Sequence, residues 1–205
     1  MQKKTKTYFK IISLFLSLNM LHGCITAATA TAAAIGAGAG VGVYMYQDRR
    51  TPGAIVEDQK IEIKATAKLL SDKNIRKYSS IAVNSFNHVV LITGQTSDEE
   101  LMDDIHQVVT DTKGVNKIYN EVTVEDPLTI QAKAEDAYIT AQIKTKFLTH
   151  TGVSPLKIKV VTENKTVYLL GLVTKDEAKL AVKLTNEVEG INNVVKIFES
   201  YYPPE

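Results

Sequence analysis

The sequence has little of several residue types on which common functional sites depend. Its 205 residues include one cysteine and four histidines. A single cysteine, Cys24, excludes a disulfide within the chain, although secreted proteins commonly use them. The histidines have no ligand-like spacing to one another or to the cysteine, so the sequence indicates neither a metal ion nor a cofactor. They stand at His22, His88, His106 and His150.

Catalytic motifs are missing as well. The sequence contains no Gly-x-Ser-x-Gly elbow and no phosphate-binding loop of the Gly-x-x-x-x-Gly-Lys-Ser/Thr type. One acidic cluster, at residues 98–100 with Asp103 and Asp104, raises the possibility of a cation site. Carboxylates are also favoured at the start of a helix for purely electrostatic reasons, which is the interpretation we adopt. We therefore predict that the protein is not an enzyme.

The N-terminus has the features of a secretory signal. Four lysines precede an apolar run at residues 11–21, which is too short to span a bilayer. The run ends in Leu21-His22-Gly23-Cys24, which resembles the lipobox of bacterial lipoproteins. The resemblance implies that residues 1–23 are removed and that Cys24 receives acyl chains such as palmitate. Two or more acyl chains anchor a protein stably in a membrane. The alternative for Cys24 is an unmodified, buried thiol.

The net charge of the chain is +1, but charged residues are distributed unevenly along it. Residues 1–56, 57–127 and 128–205 carry net charges of +5, −5 and +1. Because the signal takes four lysines with it, the mature chain is mildly acidic. The sequence therefore does not indicate a nucleic-acid partner.

Residues 24–56 are predicted to form a lipidated N-terminus followed by a linker, since residues 25–46 are mostly Ala, Thr and Gly. Two alternatives remain open at this point. The stretch is long enough for a membrane span, but its residues are weakly apolar and include no leucine. Its alternating glycines also resemble a nucleotide-binding loop, which would need a preceding strand and a following helix.

The sequence beyond Pro52 repeats itself. Asp58 aligns with Asp136 at an offset of 78, and the offset falls by one residue at each of two later points. We therefore expect two domains, at 57–127 and 128–205. Other aligned pairs are Ile61 with Ile139, Leu69 with Phe147, Gly94 with Gly171, and Gly114 with Gly190.

Each copy is predicted to be an αββαβ unit. The second helix is expected to open with a capping box, Ser97 to Glu100 and Thr174 to Glu177, and to close at Gly114 or Gly190. The fold class is therefore α+β, with a three-stranded mixed sheet packed on two helices in each domain. The first helices are expected at 57–71 and 135–149, and the hairpin strands at 80–86 with 88–94 and at 157–162 with 166–172.

This order of elements, with a hydrophobic-hydrophobic-x-x-Gly signature before the second helix, resembles the BON domain. The resemblance covers 57–203 and implies binding of phospholipid or other envelope components, without catalysis. Together with the lipobox, the linker and the Asp48-Arg49-Arg50-Thr51 stretch, it resembles tandem-BON outer-membrane lipoproteins. That implies a periplasm-facing lipid anchor on the outer membrane, anionic phospholipid binding by the second domain, and support of envelope integrity. The resemblance to lipoproteins implies the same location in a second way, because Ile25 rather than Asp follows the cysteine.

The first helix of each copy carries a second apolar stripe opposite its core stripe. A stripe that its own sheet cannot cover must face a partner. One alternative is that the stripe packs against the other repeat, and the second is that it faces a membrane. We favour the membrane for the second copy, because lysines flank its stripe. A protein-interaction adaptor for an envelope assembly factor is the alternative function. The predicted phospholipid-binding residues are Lys133, Tyr138, Ala141, Lys144, Thr145, Lys146 and Leu148, and the matching stripe in the first copy is Lys60, Ile63, Ala67 and Leu70.

Overall fold

A computed structural model describes residues 48–203. The predicted signal peptide, Cys24 and the linker to residue 46 lie outside the described residues. Within the described part, no helix is both long and apolar enough to cross a membrane. The elements are α1 (Pro52–Ser71), α2 (Lys73–Tyr78), β1 (Ser79–Phe86), β2 (Val89–Thr96), α3 (Leu101–Thr110), β3 (Lys117–Val124), α4 (Ile130–Thr149), β4 (Ile158–Glu163), β5 (Thr166–Val173), α5 (Lys175–Asn186) and β6 (Asn193–Ser200).

Each repeat folds into a three-stranded mixed sheet with its helices on one face. The strand orders are β1-β2-β3 and β4-β5-β6. In each sheet the hairpin pairs antiparallel and the last strand pairs parallel with the central strand. The parallel pair needs a crossover, which α3 and α5 supply. The predicted α+β class and the tandem arrangement are confirmed.

The first helix of each repeat begins five residues earlier than predicted. Thr51 caps α1 by accepting a hydrogen bond from the Ala54 N–H, and Thr129 caps α4 by accepting one from the Ala132 N–H. Proline at the first position of α1 suits a helix start, where its missing N–H has no partner to lose. The prediction was late because few residues of these first turns face the core, so the apolar period begins after the helix does.

The start of the second helix was predicted correctly in only one repeat. Thr174 and Glu177 form the expected capping box on α5. In the first repeat Ser97 forms no cap, because its hydroxyl donates to the carbonyl oxygen of Tyr78 at 3.2 Å. Tyr78 ends α2, a short helix without a counterpart in the second repeat that the sequence analysis did not predict.

The predicted ends of the second helices were also wrong. Helix α3 ends at Thr110 and α5 at Asn186, so Gly114 and Gly190 lie in the loops beyond them. Both glycines still adopt the left-handed conformation, with φ of 101° and 85°. An additional turn separates each helix from its glycine, and the sequence pattern does not distinguish such a turn from helix.

The two repeats pack through their sheets. Alternate residues of the central strands face opposite sides, so Val90 and Ile92 meet the helices of their own repeat while Leu91 meets the other sheet. The resulting order of layers is helices, sheet, sheet, helices. The alternative in which the outer stripe of the first helix packs against the other repeat is therefore wrong. The buried residues shared by the two sheets are Phe86, Val89, Leu91, Tyr168, Leu170 and Ile197.

Polar contacts cross between the repeats beside this apolar layer. Buried Gln95 donates to Glu163 at 2.7 Å, and Asn87 donates to Glu199 at 2.9 Å. Lys159 pairs with Glu62. Burial raises the pKa of Glu163 above its usual value. Because hydrogen bonds are directional, these contacts define one relative orientation of the two sheets, which an apolar layer alone specifies less well.

Two adjacent arginines at the start of the described chain form hydrogen bonds with both repeats. Arg50 donates to Asp58 at 3.0 Å and stacks 4.0 Å from the ring centroid of Phe86, both in the first repeat. Arg49 makes a bidentate pair with Glu177 of the second repeat, at 2.5 and 3.0 Å. Arg49 also stacks 3.9 Å from the ring of Tyr201 and donates to a carbonyl oxygen of the same repeat.

Removing the ion pair between Arg49 and Glu177 is expected to make the stability of the protein less dependent on pH. Burial opposes ionisation of Glu177, but hydrogen bonds from Arg49, the Thr174 backbone and Lys157 outweigh it and lower the pKa of Glu177 to about 2. The stabilisation is present above the unfolded-state pKa of about 4.3 and is lost as pH falls toward 2. We expect Arg49→Ala to lower the free energy of unfolding by roughly 2–3 kcal/mol at pH 7 and by less at pH 3.

Urea unfolding at both pH values measures this difference. Lys179→Ala is the matched control, since its pair with Asp176 is exposed and spans 3.9 Å. Such a pair contributes little, so the control is expected to change stability by less than about 0.5 kcal/mol at either pH. An equal loss for Arg49→Ala at pH 7 and pH 3 would contradict the assignment.

Candidate functional site

The site predicted in the second repeat lies on the outer face of α4. The inner face is fixed by four buried residues that pack onto the sheet, Asp136, Ile139, Ile143 and Phe147. Successive residues of a helix are 100° apart, so residues spaced by three, four or seven positions lie on the same side. On the side of α4 opposite the buried residues, such a set forms a second stripe that points away from the core. The structure therefore confirms that α4 has two distinct faces.

Large apolar side chains are exposed along the whole of this outer face. Ile130 is 90% exposed, Tyr138 68% and Leu148 71%. Eighteen residues separate the first and the last of them, a length of about 27 Å along a helix. Smaller exposed residues fill the intervals between them, namely Ala134, Ala137, Ala141 and Thr145. We call these seven residues the α4 face.

Two lysines border the α4 face on one side. Lys133 and Lys144 are both exposed and lie about 40–60° around the helix from Leu148. Lys133 donates to the Ser80 hydroxyl of the first repeat at 3.0 Å. Within residues 48–203 no ion pair involves Lys144. Both ammonium groups are therefore available beside the apolar stripe, since a hydroxyl does not neutralise a lysine.

Lys146 is separated from the other predicted residues. It lies about 160° around the helix from Leu148 and pairs with Glu187 at 3.2 Å. Glu135, the exposed carboxylate of α4, also lies on the far side and pairs with Lys165 at 3.2 Å. The positive charges bordering the α4 face are therefore not offset by a carboxylate of the same helix.

Three residues of the α4 face were missed by the sequence analysis, Ile130, Ala134 and Ala137. The predicted helix began at residue 135, so two of them fell in a presumed loop. Extending the same 100° projection backwards from Ala141 would have placed Ile130 and Ala134 on the stripe. The signal that would justify the extension is Thr129, a residue type that commonly caps helices.

The arrangement suits contact with an amphipathic surface. An apolar stripe bordered by cations on a helix can place its side chains against acyl chains and its lysines against anionic headgroups. Among residues 48–203, no group of three or more His, Cys, Asp or Glu side chains is placed to hold a metal ion.

Comparisons with known proteins agree with the division of the chain into two repeats. Residues 57–126 and 135–199 both match the BON domain. The chain is 30% identical over 152 residues to a protein of Haemophilus influenzae named "Outer membrane lipoprotein DolP", covering 74% of this chain and 79% of that one. It is 29% identical over 150 residues to the "21 kDa hemolysin" of Actinobacillus pleuropneumoniae, covering 73% and 77%.

Among solved structures, the C-terminal domain of CdsD, a type III secretion protein of Chlamydia trachomatis, aligns at 14% identity with a TM-score of 0.28, over 71% of this chain and 67% of that one. The family matches together span well over half of the sequence and coincide with the two sheets and their helices. The chain therefore belongs to the BON domain family and carries two copies of that domain in tandem.

Proposed function

We propose that this protein is a non-enzymatic lipoprotein of the outer membrane that binds anionic phospholipid through the α4 face of its second BON domain. Cys24 carries the lipid anchor, and the two domains face the periplasm. In this position the protein supports the integrity of the cell envelope. The proposal extends the name of the Haemophilus influenzae relative, an outer membrane lipoprotein, to this chain.

The observation that carries the proposal is the exposure of three large apolar side chains on the outer side of α4. Isolated apolar residues are normal on a protein surface, but a continuous stripe of them indicates a partner. The other repeat does not cover the stripe, because the sheets occupy the interface between the repeats. Tyrosine is favoured where an apolar region meets water, and Tyr138 stands near the middle of the stripe.

The lysines favour an anionic partner. Each lysine near an anionic membrane surface contributes roughly 1 kcal/mol, so Lys133 and Lys144 together give a modest attraction. The apolar stripe adds a comparable amount for each side chain that leaves water. Binding through such a small face is weak in solution, and it suffices here because a lipid anchor already holds the domain at high local concentration near the membrane.

Loss of the α4 face is expected to reduce lipid binding without unfolding the protein. We expect the double variant Tyr138→Ser with Leu148→Ser to bind anionic vesicles about tenfold or more weakly, since it removes two of the three large apolar contacts. Lys144→Gln is expected to weaken binding about fivefold. Sedimentation of a soluble fragment from Asp48 to Glu205 with anionic vesicles measures both.

Leu70→Ser is the matched control, because Leu70 occupies the equivalent position of α1 and is 54% exposed. It is expected to leave vesicle binding unchanged. Binding should also fade in high salt and with zwitterionic vesicles, since the lysine contribution is screened or missing. Unaltered binding by both the double variant and Lys144→Gln would exclude this face as the binding site.

A further inference from the structure

The first repeat also has an uncovered apolar line, on the outer face of α1. Val56 is 51% exposed, Ile63 68% and Leu70 54%. They stand seven residues apart. Gly53, Lys60 and Ala67 lie on the same side of the helix, each three residues before one of them, and we call these six residues the α1 face. The spacing alternates between three and four residues, which is the pattern of a helix that packs against another helix along its length.

This line differs from the α4 face in the residues it presents. At the positions of α4 equivalent to Val56, Ile63 and Leu70 stand Ala134, Ala141 and Leu148. Only α1 therefore presents a large branched side chain at every seventh residue, alternating with a residue of different size. Large residues beside small ones, here Gly53 and Ala67, are what two interlocking helices need.

All six residues of the α1 face are exposed, so no other described element covers them. Helices α1 and α3 lie on one outer layer, and α4 and α5 lie on the other, because the sheets pack back to back between them. A flat surface that covers α4 therefore cannot also cover α1. Whatever covers α1 leaves the α4 face free.

We propose that the α1 face binds the α1 face of a second copy of this chain in an antiparallel, two-fold arrangement. With the axis between Ile61 and Glu62, Val56 of one copy packs on Ala67 of the other, and Gly53 packs on Leu70. A residue of large volume thereby meets one of small volume at both ends of the pair. An isologous contact of this kind closes on itself and gives a dimer.

Charge complementarity favours this arrangement over a parallel one. In the antiparallel pair Glu57 of each copy flanks the seam next to Lys64 of the other, giving two identical ion pairs. Glu57 is 58% exposed on its side chain and contacts His88 at 3.4 Å, so it retains an accessible carboxylate oxygen. Within residues 48–203 no ion pair involves Lys64. A parallel pair would instead place Lys60 directly against Lys60.

Lys60 stands near the centre of the seam, against Ile63 of the second copy. Its stem can cover the isoleucine while its ammonium group reaches water or Glu57 one turn away. A single polar residue in a helix seam fixes the register and lowers the affinity. Two helices of this length bury roughly 1,000 Å² in total, at the lower end for specific interfaces, so the dimer is weak in dilute solution.

Sedimentation of the purified full-length chain in detergent micelles, over a range of concentrations, tests the proposal. We expect a monomer–dimer equilibrium that Ile63→Ser weakens about tenfold or more. Glu57→Lys is expected to weaken it by bringing two lysines together, and the double variant Glu57→Lys with Lys64→Glu is expected to restore it. Leu148→Ser is the control of similar exposure on α4, and it should leave the dimer intact.

Thermal unfolding of each variant shows whether the fold is kept, since all these positions are exposed. A wild-type chain that is monomeric at every concentration would overturn the proposal, and so would a dimer that Ile63→Ser does not weaken. A double variant that stays as weak as Glu57→Lys would overturn the antiparallel register. Lipid binding by the α4 face is measured separately with vesicles, so failure of one proposal is distinguishable from failure of the other.

Discussion

Replacement of Asp58 by alanine is expected to lower the free energy of unfolding by roughly 3–5 kcal/mol. Asp58 is 2% exposed, and its carboxylate accepts hydrogen bonds from two backbone N–H groups of the first hairpin turn, Asn87 at 2.7 Å and His88 at 2.8 Å. The same carboxylate accepts bonds from the Ser85 hydroxyl at 2.6 Å and from Arg50 at 3.0 Å. Alanine would leave all four donors without this partner.

The turn itself depends on these bonds. Asn87 and His88 both have positive φ, 52° and 65°, as a two-residue hairpin turn of type I′ requires. A non-glycine residue in this conformation costs roughly 1 kcal/mol. The carboxylate from α1 offsets that cost by binding both N–H groups. Without it, the turn and the register of the hairpin it sets are destabilised together.

The second repeat provides the comparison. Asp136 makes the equivalent bonds to the N–H groups of Asn164 and Lys165, at 2.8 and 2.9 Å, again in a turn with two positive φ values. The described contacts of Asp136 include no arginine and no hydroxyl. Asp136→Ala is therefore expected to cost less, roughly 2–3 kcal/mol. Urea unfolding followed by circular dichroism measures both variants, and equal losses would show that Arg50 and Ser85 contribute nothing.

Gly94→Ala is expected to prevent the first repeat from folding, with a loss above about 4 kcal/mol. Gly94 has a φ of 126°, which side chains rarely adopt. A Cβ at this position would overlap the carbonyl oxygen of Ser80 and lie 2.9 Å from its carbonyl carbon. Because both atoms belong to the backbone of the adjacent strand, β1 would have to move away from β2 and break the hairpin pairing.

Gly190→Ala separates the steric effect from the conformational one. Gly190 also has a positive φ, 85°, but a Cβ there would be 3.7 Å from the nearest side-chain atom, a methyl carbon of Ile139. Only the strain of the left-handed conformation remains, and we expect a loss of about 1 kcal/mol. Thermal unfolding and the expression level are compared for Gly94→Ala and Gly190→Ala. Similar behaviour of the two variants would mean that crowding by Ser80 does not govern Gly94.

The sequence by itself determined the repeat and the αββαβ order of elements that the two copies share. The period of apolar residues is a local property, and the alignment of Asp58 with Asp136 and of Gly94 with Gly171 marks equivalent positions without any knowledge of the fold. It also placed Tyr138 and Leu148 outside the core. Local pattern suffices for these features because a helix or a strand repeats its contacts within a few residues.

Only the tertiary structure decided how the two repeats pack and which contacts Asp58 and Arg49 make. A central strand apolar on both sides, such as β2, shows that something covers each side but not what covers it, so the sheet-to-sheet packing was missed. The role of Asp58 depends on a turn 29 residues away, and that of Arg49 on Glu177, 128 residues away. Such contacts join residues whose separation along the chain carries no period, and they arise only after the layers have packed.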